Sequence, residues 1–338
     1  METIQKIKLP PSVKSEKRNA TIDVIRIFAA LGVIAIHVPF HTPEARLFQD
    51  VFSPLCVPFF YLTSLVLMVS GMEPATVPGI LKKSLLRIGL PFLAWSFIYA
   101  GLLWAKSTLT GADNNLVLWR VLLFGESAVH LYFLPSLLNI QLLVVGVFMI
   151  SYSAFSQKLL GFLFVSLSIC YLVLGAIVNS YGVASAPHII FYVVAAFLLA
   201  SKTNRSGFHG PLVAAGIFLV GLSVFNMIFK IHAPVAASVV NLPIGGLGLL
   251  LLAIGLPLRK VPGWVKVLSS LTFGIYLCHV VFLEAFQFFF KGALSVELHY
   301  NLIVKLLVCA LVFALSALFA FLIRKNFLLR IILLGETK

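Results

Sequence analysis

The sequence predicts an all-α protein: a polytopic bundle of about ten transmembrane helices with both chain ends in the cytoplasm. Three observations carry this. Of the 338 residues, 61% are hydrophobic and only 11% charged, against roughly 25% charge in an ordinary soluble chain. Apolar stretches follow one another from Ile22 to the C-terminus, each near the roughly 20 residues that cross a hydrocarbon core. The Lys and Arg residues cluster in alternate connections between those stretches, the pattern of basic loops retained in the cytoplasm.

The spans fall at about 22–40, 51–71, 85–105, 131–151, 159–178, 186–201, 211–230, 236–257, 268–290 and 304–324. With the N-terminus inside, cytoplasmic segments collect 18 Lys and Arg residues. Outside segments collect 6: Arg46, Lys106, Arg120, Lys230, Lys291 and Lys305. Dropping or adding one span flips every later loop and spoils this bias, so ten spans are favoured over nine or eleven. Residues 1–20 read as a basic cytoplasmic tail, 21–334 as the transmembrane body and 335–338 as a C-terminal tail. Lys14, Lys17 and Arg18 precede the first apolar stretch as in a signal peptide. Asp23, Arg26 and His37 interrupt that stretch and no small-residue cleavage site follows, so it reads as an uncleaved span.

The net charge of +14 does not point to nucleic acid, because the cations lie between apolar runs rather than on one face of a soluble fold. Cys56, Cys170, Cys278 and Cys309 lie in or near apolar runs without metal-type spacing, and no metal is expected.

Ionisable side chains inside spans are costly and usually mark function. Arg26 and His37 are eleven residues apart, about three helical turns, so they share one face with about 16 Å between them along the axis. Asp23 lies one turn before Arg26, placed to hold its guanidinium. The plain alternative is that all three are interface anchors. A second cluster, Lys82-Lys83-Ser-Leu-Leu-Arg87, sits at the cytoplasmic start of the third span and suits phosphate groups. A third feature is His130-Leu-Tyr132-Phe-Leu-Pro135, at the outer start of the fourth span. The fourth is Tyr276-Leu-Cys-His279 in the ninth span, with Glu284 further on. Composition alone leaves a transporter or flippase for an anionic or lipid-linked solute open, with Arg26 binding substrate and His37 or Glu284 relaying protons. A structural membrane subunit is a third reading.

In this order, these features resemble the acyltransferase-3 family of integral membrane O-acyltransferases, in its stand-alone form without an appended hydrolase-like domain. The resemblance covers nearly the whole chain, and Arg26-x10-His37 is its most specific element. One departure is Ser84, where the family often has an Arg; Lys83 stands beside it but lacks the bidentate fork of Arg. The resemblance implies an acyl-CoA donor, commonly acetyl-CoA, and a carbohydrate or glycolipid hydroxyl as acceptor, in a bacterial inner membrane. It implies Arg26, Lys83 and Arg87 on the CoA phosphates and His37 as general base. Glu284 is a candidate to orient His37, and His130, Tyr132 and His279 are expected on the acceptor. The lipid bilayer is the remaining partner.

Overall fold

The computed structural model describes residues 19–111, 116–180, 187–203, 207–229, 235–258 and 260–337. The expected tail over residues 1–18 lies outside them. The fold is all-α: α1 (Ala20–His37), α2 (Pro43–Ser70), α3 (Val77–Ser84), α4 (Leu90–Thr110), α5 (Leu118–Phe124), α6 (Phe133–Tyr152), α7 (Phe155–Ile177), α8 (Pro187–Ala200), α9 (Gly210–Phe229), α10 (Val235–Gly255), α11 (Gly263–Phe288), α12 (Leu302–Lys325) and α13 (Phe327–Leu334). Among the described residues, eight helical segments are long and apolar enough to cross a membrane, and two shorter apolar helices, His188–Ala200 and Pro243–Gly255, accompany them. The chain is an integral, multi-pass membrane protein. All ten apolar helices lie where the hydropathy pattern put the spans.

α2 is the central helix, packed against α1, α8, α9 and α10. It runs through Pro54 and Pro58, each of which removes a backbone donor. Gly245 and Gly246 of α10 fit against that stretch. A Cβ on Gly246 would lie 2.5 Å from the Phe59 nitrogen, so only a residue without a side chain lets the backbones meet this closely.

Capping locks both ends of α1. At its start the Asn19 side chain accepts from the Thr21 N–H at 3.0 Å and donates to the Ala253 carbonyl at 2.8 Å. The Thr21 hydroxyl accepts from the Leu258 N–H at 2.9 Å and donates to the Leu256 carbonyl. At its other end, the His41 N–H donates to the Tyr300 carbonyl at 3.0 Å, and the Tyr300 N–H returns a bond to His41 Nδ1 at 2.9 Å. The start of α1, the end of α10 and the end of α12 therefore share one end of the bundle, here the basic end.

Between α3 and α4 the helix widens into a π turn at Leu85–Gly89. Pro91 supplies a cause: it lacks the N–H that the Arg87 carbonyl would accept in an α-helix. The close of the chain fills that place. Gly335, in the left-handed region with φ 64°, sits so close that a Cβ there would lie 2.7 Å from the Arg87 Cα. Trp95 Nε1 donates to the Leu333 carbonyl at 3.0 Å. Glu336 accepts from Arg324 Nε at 2.6 Å. Gly335 and Glu336, expected in a tail, are thus docked onto the bundle.

Candidate active site

Three histidines from three distant parts of the chain meet at the end of α1 opposite the basic end. His37 is the last residue of α1 and is half-buried. His130 lies in the turn before α6, and His279 lies on α11; both are buried. Ring centres are 5.3 Å apart for His37 and His279, 6.1 Å for His37 and His130, and 4.8 Å for His130 and His279.

Backbone carbonyls fix two of the rings. His279 Nδ1 lies 2.7 Å from the Tyr276 carbonyl, three residues back on its own helix. A carbonyl only accepts, so Nδ1 carries the proton and Nε2 is left as an acceptor. His130 Nε2 lies 3.4 Å from the Leu277 carbonyl, and its Nδ1 is the acceptor by the same logic. Both acceptor nitrogens are buried and have no hydrogen-bond partner among the described residues. Tyrosines brace the turn: Tyr99 OH donates to the Leu277 carbonyl at 2.9 Å, and Tyr276 OH donates to the His130 carbonyl. Two buried acceptors without partners are costly unless something polar reaches them, so the cluster is chemically suited to receive hydroxyl donors.

Tyr132, the N-cap residue of α6, lines a cavity of about 320 Å³ with Phe124, Gly125, Glu126, Ala128 and Val129. Its lining flanks His130 in the chain but includes none of the three histidines.

The cationic residues gather at the basic end. Asp23 is buried and accepts from Ser269 Oγ at 2.8 Å; Arg26 is half-buried one turn on. Lys83 and Arg87 are exposed. A chain of contacts joins the two groups: Arg87 meets Gly335, Glu336 holds Arg324, Arg324 Nη1 donates to Ser270 Oγ at 2.7 Å, and the adjacent Ser269 holds Asp23.

The structure corrects one expectation. Glu284 does not join His37. It is about half exposed and paired with Lys106 of α4 at 3.1 Å. Five residues beyond His279, it faces about 140° away around α11. Arg26 and His37 do share one stripe of α1, but Ala29, Ala30 and Val33 between them are buried. The stripe is therefore packed, not an open passage.

Sequence reasoning missed Lys305. Taken for an outside loop cation, it is fully buried in the first turn of α12, against the end of α1. Nothing in the sequence separates it from a cation that anchors to headgroups. Among the described residues, no group of three or more His, Cys, Asp or Glu is arranged to hold a metal ion.

Comparison with known proteins now decides the family. A family model described as an acyltransferase domain matches residues 19–325. The chain belongs to the acyltransferase-3 family. For this acyltransferase-3 protein the match runs from the N-cap of α1 to the last residue of α12, so it includes every histidine of the cluster. The chain is also similar to an amino-acid racemase of Enterococcus faecalis, with 26% identity over 229 residues. Those residues are 62% of this chain but span only 31% of the length of that relative. No solved structure matches the chain.

Proposed function

We propose that the protein moves an acyl group, acetyl by default, from acyl-CoA to a hydroxyl of a carbohydrate acceptor, in an exported polysaccharide or a glycolipid. The basic end faces the cytoplasm of a bacterial inner membrane in this reading, as the distribution of Lys and Arg favours. The observation that carries the reading is the convergence of His37, His130 and His279 in an apolar bundle, with two buried imidazole nitrogens open to hydroxyl donors.

Arg26, Lys83 and Arg87 hold the CoA phosphates at the basic end. The acyl-pantetheine arm, extended over about 15–20 Å, reaches His37 by parting the helices along Ala29, Ala30 and Val33. Acceptor hydroxyls donate to His130 Nδ1 and His279 Nε2, and Tyr132 contacts the sugar from the adjoining cavity. Neutral His37 takes the proton of the reacting hydroxyl. The oxygen bonds to the thioester carbonyl carbon and the C–S bond breaks. The proton passes from His37 to the departing thiolate, leaving an ester, free CoA and neutral imidazole.

The test uses membranes carrying the protein and acetyl-labelled acetyl-CoA, with label counted in the polysaccharide and lipid fractions. His37→Gln in folded protein is expected to lower transfer by on the order of 10²–10⁴-fold, the usual contribution of a general base. Wild-type transfer by His37→Gln refutes the reading.

A further inference from the structure

Lys305 has no role in the chemistry described so far, yet it is among the largest fully buried side chains of the protein. A buried ammonium is expensive to desolvate, and an ionisable group in a membrane span marks function more often than stability. Stability alone is therefore a poor reason for a lysine here.

Its contacts are specific. Nζ donates to the Val38 carbonyl at 2.5 Å and to Gln49 Oε1 of α2 at 3.1 Å. The Phe40 ring centre lies 5.7 Å away. Val38 is the C-cap of α1 and follows His37 directly. The last carbonyls of a helix have no partner within it and carry the negative end of its dipole. Lys305 thus ties the end of α1 to α2 and α12 at the residue next to the imidazole. Its own backbone is anchored too: the Lys305 N–H donates to the Asn301 carbonyl at 2.9 Å. Around it stand Cys309 one turn on, Asp50, which pairs with Arg46 at 3.7 Å, and His37 itself. Among the described residues no carboxylate forms an ion pair with it. Being sealed from solvent, it cannot touch a substrate as it stands.

We propose that Lys305 is a positioning residue for His37: its buried ammonium clamps the C-terminal carbonyl of α1 and so sets where the imidazole meets His279 and His130. The proposal rests on the reading of His37 as the base. A base displaced by about 1 Å loses on the order of 10²-fold in rate, while donor binding at the far end of α1 is untouched.

The experiment measures label transfer from acetyl-CoA in membranes and thermal unfolding of the purified full-length protein in detergent. Lys305→Met is expected to lower the rate at saturating acetyl-CoA by on the order of 10²-fold. Its KM for acetyl-CoA should stay within about twofold, and its melting temperature should fall by only a few degrees, because the Val38 carbonyl and Gln49 Oε1 lose a donor. Lys305→Arg keeps a cation on the Val38 carbonyl and should recover most of the rate. Wild-type rate in Lys305→Met overturns the proposal. So does parallel loss of rate and melting temperature that Lys305→Arg does not restore, which marks a merely structural lysine. If Lys305→Met fails to fold, Gln49→Leu is read in its place: a severalfold lower rate at unchanged melting temperature supports the proposal, and an unchanged rate overturns it. Activity in His37→Gln defeats the base reading itself. Inactivity of His37→Gln with full activity of Lys305→Met defeats only the role of Lys305.

Discussion

Gly274 offers a quantitative check on how tightly the helix carrying His279 is placed. It lies on α11, two residues before Tyr276 and five before His279. A Cβ at this position would lie 2.7 Å from the Ala320 Cβ of α12 and 2.9 Å from Leu334 Cδ2 of α13, where ordinary contact begins at 3.4 Å. The methyl of Ala320 has no torsion that moves it aside, and the residue is fully buried. Gly274→Ala must therefore push α11 and α12 apart by about 0.7 Å, the shortfall between those two distances. Overpacking of this kind costs about 1–3 kcal/mol, against a gain of up to about 1 kcal/mol for Ala over Gly in a helix. The net expectation is a loss of about 0–2 kcal/mol, with a severalfold to 10²-fold fall in transfer as His279 moves off the cluster. Adding Ala320→Gly removes the opposing methyl and should restore both. The control is Gly101→Ala, where nothing lies within 4 Å; it should not destabilise. Thermal unfolding in detergent and label transfer in membranes read all four proteins. Wild-type stability and rate in Gly274→Ala, or failure of Ala320→Gly to rescue it, would refute the packing argument.

Other outcomes follow from the same contacts. Glu284→Gln breaks an ion pair whose two side chains are about half exposed, so it should change stability by less than about 1 kcal/mol and leave transfer unchanged; a large rate loss would return Glu284 to the site. Arg87→Ala should raise the KM for acetyl-CoA severalfold, more at low than at high salt because exposed charges are screened, and should change the saturating rate little. Gly335→Ala puts a Cβ into the Arg87 backbone at a positive φ; it should displace the π turn, raise the same KM, and leave the rate at saturation near wild type. Unchanged KM values in both variants would remove the basic end from donor binding.

The spans were legible because hydrocarbon thickness sets their length and loop cations set their order. Each was a local property of about 20 residues. The start of α2 was not: Pro43 to Asp50 is polar enough to read as a loop, but Thr42 caps it, accepting from the Ala45 N–H at 3.4 Å. The π turn was half visible, since Pro91 announces a lost donor but not the docking of Gly335 behind it. The facing of Glu284 was legible from its angular offset along α11. Lys305 was not, because a cation at a helix start looks the same in sequence whether it anchors to headgroups or turns inward. Its burial is decided by how α12 packs on α1. The meeting of His37, His130 and His279 likewise depends on two helices and a turn converging from positions far apart in the chain.

The polar groups are arranged more like a transferase than a proton-coupled carrier. A carrier that binds its solute at Arg26 and relays protons through His37 or Glu284 needs titratable groups or water at close intervals along the path. Here the stretch between Arg26 and His37 is Ala29, Ala30 and Val33, all buried, and Glu284, the remaining carboxylate considered for a relay, faces Lys106. A dry, apolar stretch blocks a proton wire. It does not block a thin, flexible arm that parts small side chains for the length of one turnover. Alanine is the smallest side chain that still fills such a gap, and Ala29 and Ala30 sit about midway along α1. In the proposed reaction the thioester arm has to displace these small side chains to reach His37. The base of that reaction is an imidazole that no carboxylate of the described residues joins, beside a helix end that Lys305 bonds.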